Sequence, residues 1–148
     1  MKSEKVKSEI KEMCTAKCAQ YAPTVLRVGL GVLFVVPGVM KLLNPAMVTG
    51  MLSQIFDMDP TWWFVFALTW VLIAVEIIGG LMLITGFKTK FAVPPLVVVM
   101  LVAIFAVVVP SMAGNPAAGA AGLLFHVLAL LGLVSVGLSG PGACSVRA

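Results

Sequence analysis

Polar side chains are sparse between residues 24 and 138, and the apolar positions fall into long runs separated by short joints. The runs are Thr24 to Leu43, Trp62 to Thr85, Phe91 to Val109 and Ala117 to Leu138. Each is close to the roughly 20 residues that a helix needs to cross about 30 Å of hydrocarbon. The pattern predicts an all-α polytopic membrane protein with four transmembrane helices. Because most joints are short, neighbouring helices should run antiparallel as an up-and-down bundle. Two shorter segments also carry helical periodicity. From Ala46 to Phe56, an apolar stripe of Met47, Val48, Met51, Leu52, Ile55 and Phe56 lies opposite Thr49, Ser53 and Gln54. That predicts a short interfacial helix between the first and second spans, flat on the outer leaflet. Over residues 1–22, Val6, Ile10, Cys14 and Cys18 recur at four-residue steps among Lys and Glu, which predicts an amphipathic helix on the inner membrane surface. The chain thus divides into a cytoplasmic amphipathic N-terminal segment, residues 1–23, and a transmembrane domain, residues 24–148.

Asn44-Pro45, Asp59-Pro60 and Asn115-Pro116 announce helix starts. In each, the Asn or Asp side chain can cap free amides, and the proline sits in the first turn, where its missing N–H costs nothing. Pro94 and Pro95 belong to the first turns of the third span. Pro37 lies inside the first span and should bend it, as a packing kink or a hinge.

At 61% hydrophobic and 11% charged residues, a 148-residue chain has more apolar surface than a soluble fold of that size could hide. The net charge of +4 does not indicate nucleic acid, because the basic residues flank the runs without the interleaved aromatics that base stacking uses. Lys2, Lys5, Lys7, Lys11 and Lys17 precede the first span, Lys88 and Lys90 follow the second, and Arg147 follows the fourth. If the spans alternate, all of these share one side and Asp57 and Asp59 take the other. The positive-inside rule then places both termini in the cytoplasm of a multi-pass plasma-membrane protein. No small-residue cleavage site follows the first run, which reads as a span and not as a signal peptide.

Ionisable residues inside the spans are the chemical candidates. Glu76 sits near the middle of the second run, where an ionised carboxylate costs at least a few kcal/mol unless it is protonated, paired or turned to a polar interior. Arg27 and Lys41 lie on the first run and His126 on the fourth. Each has a glycine on its own helical face: Gly31, Gly38, Gly80 and Gly122 for Arg27, Lys41, Glu76 and His126. Counting residues puts Arg27 about 5 Å and Glu76 about 14 Å inside the cytoplasmic edge, with His126 about 12 Å and Lys41 about 3 Å from the outer edge. On this count Arg27 is the expected partner of Glu76, and the four could form a polar ladder lining a binding pocket. Alternatively, Arg27 and Lys41 snorkel to their nearest interfaces, and His126 is a hydrogen-bonded packing residue.

Cys14, Cys18 and Cys144 fall on the predicted cytoplasmic side, where a structural disulfide is disfavoured. CTAKC has no standard zinc spacing. The three thiols could make a redox or metal site, or they could be buried small hydrophobes or S-acylated anchors. The sequence carries no evident haem ligand pair, flavin motif or iron–sulfur cysteine set.

RVGLGVLFVVPGVMKLLNP at 27–45, EIIGGLMLITGFKTKFA at 76–92 and the terminal GPGACS at 140–145 together resemble the DoxX family of small four-helix membrane proteins. Members include relatives of the quinone-reducing membrane subunits of thiosulfate:quinone oxidoreductase. The resemblance implies membrane redox metabolism or an oxidative-stress system and puts Arg27, Lys41 and Glu76 at the family's recurrent polar positions. Relatives often carry a histidine late in the third span, where this chain has VVVP, and an acidic residue after the terminal serine, where it has Val146 and Arg147.

Three functions are compatible with these residues. The bundle could bind a quinone or similar hydrophobic molecule, with Glu76 or His126 exchanging protons and Lys41 or Arg27 steadying an oxygen, as a quinone-linked oxidoreductase subunit. It could be a non-catalytic membrane subunit or scaffold that recruits a soluble redox partner on its cytoplasmic face. A small-solute transporter is the third, and four spans would then require a homo-oligomer to enclose a path.

Overall fold

A computed structural model of the chain describes residues 2–139, with side chains from Tyr21 onward. The elements are α1 (Lys2–Leu43), α2 (Pro45–Phe56), α3 (Trp63–Thr85), α4 (Thr89–Ala103), a π-helical segment (Ile104–Val108), α5 (Val109–Gly114) and α6 (Pro116–Ser139). Four stretches are long and apolar enough to cross a membrane: Tyr21–Leu43, Trp63–Thr85, Thr89–Gly114 and Pro116–Ser139. α1 and α3 make the most extensive contact; α3 also packs on α4, α4 on α6, and α6 back on α1, closing the up-and-down ring that the apolar runs predict. One end of the bundle carries Trp62 and Trp63 (the aromatic end) and the other carries Lys88 and Lys90 (the basic end).

The buried core comprises Leu30 and Phe34 of α1, Leu83 of α3, Val93, Leu96 and Met100 of α4, and Ala129, Leu133 and Val136 of α6. A second cluster at the aromatic end joins Val48 and Leu52 of α2 to Val65 of α3. Large apolar side chains elsewhere, such as Phe91, Phe105, Leu124 and Leu128, face outward, as a bilayer solvent allows.

Four local expectations are corrected. First, residues 2–22 and the first span are one uninterrupted helix, which runs through Pro23 because that residue removes only one backbone donor. Second, the third span continues past Val109 to Gly114. The Val109 N–H donates to the Ile104 carbonyl, a five-residue step, so the helix widens just before Pro110, whose missing N–H would interrupt a regular turn. Third, the Asn/Asp-Pro devices diverge. Asn115 Oδ1 accepts from the Ala118 N–H at 3.2 Å, a true cap. Asp59 Oδ1 instead accepts from the Thr61 N–H and hydroxyl at 2.8 and 2.6 Å in a turn ahead of α3, and the Thr61 hydroxyl, then its N–H, hold the Asp59 carboxyl below the usual carboxylate range. Asn44 makes no side-chain cap. Fourth, Thr49 turns inward: its hydroxyl lies 3.2 Å from that of the fully buried Thr69, which donates to the Val65 carbonyl at 2.9 Å.

Candidate functional site

The site begins with how closely α1 and α3 approach. A Cβ on Gly80 would stand 2.8 Å from the Gly31 carbonyl oxygen, and one on Gly31 would stand 2.7 Å from that of Gly80. Further along the same seam, a Cβ on Gly38 would meet the Glu76 Cβ at 3.2 Å. Only glycine permits this contact, which fixes the antiparallel register.

Register and side-chain direction together choose the partner of Glu76. Every Cβ on a helix tilts toward that helix's N-terminus. Lys41, near the end of α1, therefore leans back toward the middle of the bundle, while Glu76 on the oppositely directed α3 leans toward the aromatic end. They meet: Lys41 Nζ donates to Glu76 Oε1 and forms an ion pair with it. The same tilt carries Arg27 away from Glu76. Its guanidinium lies against Gly86, ten residues and about 15 Å along α3 from Glu76, where a Cβ would overlap it. Gly86 also has φ 74°, so both its backbone and its neighbour require glycine. The expected Arg27–Glu76 pair is thus replaced by Lys41–Glu76. Counting depth alone missed this, because it ignored where side chains point.

Glu76 is 4% exposed, so it is held inside the bundle. Its Oε2 is buried with no hydrogen-bond partner among the described residues. The Lys41 side chain is 23% exposed. Both residues line a cavity of about 510 Å³ together with His126, with Pro37, Met100 and Phe125 among its apolar walls. Pro37, which lies inside the continuous helix α1 and offers no N–H to the carbonyl one turn back, is on the cavity wall. Ala103, the last residue before the π segment, also lines it, so the unanticipated widening of the third span borders the site. An apolar run continuing through Pro110 was the sequence signal for that feature.

His126 Nδ1 lies 2.7 Å from the Gly122 carbonyl oxygen of its own helix. A carbonyl only accepts, so Nδ1 carries the proton, and in the neutral ring Nε2 is the acceptor. Of the four intramembrane candidates, Lys41, Glu76 and His126 come together at one cavity, and Arg27 does not. The cavity presents an ammonium donor, a carboxylate acceptor and an imidazole acceptor within apolar walls.

Among the described residues no group of three or more His, Cys, Asp or Glu comes together. The side chains of Cys14 and Cys18, along with Cys144 and the GPGACS stretch, lie outside the described residues.

The DoxX family model matches residues 22–109, more than half of the chain. The match takes in Arg27, Lys41 and Glu76 and ends before α6, so His126 lies beyond it. No curated protein and no solved structure matches the chain.

Proposed function

The chain belongs to the DoxX family of membrane proteins, and on that footing we propose that its bundle binds a quinone or similar lipid-soluble small molecule and serves membrane redox metabolism. The observation that carries this reading is the convergence of Lys41, Glu76 and His126 on one apolar-walled cavity. Ligand pockets commonly combine apolar walls with a few convergent polar groups. A second cavity of about 560 Å³, between α1 and α6, is lined by Gly29, Leu30, Gly132 and other small or apolar residues. It shares Leu33 and Phe125 with the first. A molecule with a polar ring and a long apolar tail suits such a pair, the ring beside Lys41 and the tail along Gly29. Lys41 would steady a ring oxygen, while Glu76 and His126 exchange protons with it. Arg27, at the basic end, holds α1 against the α3–α4 turn. Electrons would come from a partner protein, and the distribution of lysines supports termini that face the cytoplasm.

The test is extraction of the protein purified from native membranes, with mass spectrometry of what it carries, followed by titration with a quinone. Recovery of a quinone, with saturable rebinding, is expected. Recovery of phospholipid alone, with no saturable binding, overturns the proposal.

A further inference from the structure

Resting on that reading, we infer that the cavity takes the reduced, hydroxyl-bearing form of its ligand, a quinol, in preference to the dicarbonyl quinone. The basis is the inventory of donors and acceptors. Lys41 Nζ carries three protons, and Glu76 Oε1 takes one of them. Its remaining donors are satisfied equally by a carbonyl or a hydroxyl oxygen. The other two polar groups accept. Glu76 Oε2 is buried without a partner, and His126, tied through Nδ1 to the Gly122 carbonyl, has Nε2 as its acceptor.

A quinone ring brings only acceptors, so it meets Lys41 but sets lone pairs against the carboxylate. A quinol hydroxyl does both. It accepts from Lys41 Nζ and donates to the Glu76 carboxylate, and its second hydroxyl can donate to His126 Nε2. The carboxylate's last torsion is broad and roughly two-fold, so its oxygens exchange places readily, and either one keeps Lys41 paired while the other meets the ligand. A hydroxyl that supplies a donor to a buried carboxylate oxygen otherwise without one strengthens binding by roughly 10- to 100-fold, and that ratio is the expected preference.

The full chain in phospholipid nanodiscs is titrated anaerobically with a decyl-tailed benzoquinone and separately with its quinol, with empty nanodiscs giving the partition background. The expected result is quinol binding at least roughly tenfold tighter. In Glu76→Gln the side chain gains an N–H donor that a carbonyl can use, and the two affinities should converge. The wild-type ratio decides even where that variant folds poorly. Equal affinities, or a tighter quinone, overturn the preference while leaving a quinone site in place. Binding of neither form overturns both this inference and the function it rests on.

Discussion

The two seams of α1 are built from the same residue types and behave oppositely. Against α3 the glycines are closely met: Gly31 by the Gly80 and Ile84 backbone and the Ile84 side chain, and Gly38 by Ile77 and the Glu76 Cβ. Against α6 the small residues do not match. Gly132 is faced by Leu30, and Gly29 has nothing within 4 Å of where its Cβ would be. One seam closes and the other leaves the cavity along Gly29 and Gly132. Glycine thus serves close helix approach where the facing helix comes up against it, most closely at the Gly31–Gly80 pair, and elsewhere it makes room. The closed seam sets the position of Lys41 and Glu76, and the open one leaves the cavity that the proposed ligand's tail would occupy.

The largest break in that comparison is Gly31→Leu. Its Cβ would stand 2.5 Å from Ile84 Cγ1, 2.7 Å from the Gly80 oxygen and 3.0 Å from the Ile84 nitrogen. Two of those neighbours are backbone, so the helices must separate. A loss above about 4 kcal/mol is expected, within the tail that severe overpacking reaches. Size-exclusion chromatography in detergent should give no monodisperse protein. A well-behaved variant with parental melting would mean that α1 and α3 do not approach as described.

Next comes the ion pair that the closed seam holds. Lys41→Met leaves the Glu76 carboxylate inside the bundle without its cation and should cost about 3–5 kcal/mol. Glu76→Gln is milder, about 1 kcal/mol, because the amide still hydrogen-bonds and the partly exposed Lys41 near the end of α1 can turn to the interface. Replacing both partners by apolar residues should recover most of the loss. Thermal unfolding of the two single variants and of Lys41→Met/Glu76→Leu reads the coupling. Equal destabilisation by the two single variants would show that depth and escape to water do not govern the pair.

The bundle was legible in the sequence because span length and the scarcity of charge are one-dimensional properties. The burial of Glu76 inside the bundle and the gathering of Glu76, Lys41 and His126 were partly legible for the same reason. The partner of Glu76 was not. Arg27 and Lys41 share a face of α1, and which of them reaches Glu76 depends on the direction of the side chains and on a register set by Gly31 and Gly80, neither visible in a depth count. The π segment escaped notice because Ile104 to Val108 are ordinary span residues, and only Pro110 following them marks the change. Thr49 looked like a solvent-facing residue until the buried Thr69 hydroxyl across from it supplied a reason to turn inward.

The smallest expected effect on stability, and the sharpest contrast between the seams, is Gly29→Leu. It is the substitution that breaks the bundle at Gly31, moved two residues along the same helix. With nothing within 4 Å of the new Cβ, the side chain enters the open groove and not a neighbour's backbone. Stability should stay within about 0.5 kcal/mol of the parent, with any change favourable because leucine suits a helix better than glycine does. Binding should still respond, because the leucine occupies space that the tail of a ligand would fill. Displacing roughly 50–60 Å² of apolar contact at about 25 cal/mol per Å² corresponds to a loss of roughly tenfold for a long-tailed quinol. A tailless ring analogue, held only by Lys41, Glu76 and His126, should bind the variant as it binds the parent. Equal weakening of both ligands would place the disturbance at the head and not along the groove, and lowered melting would show that the α1–α6 seam is closed after all.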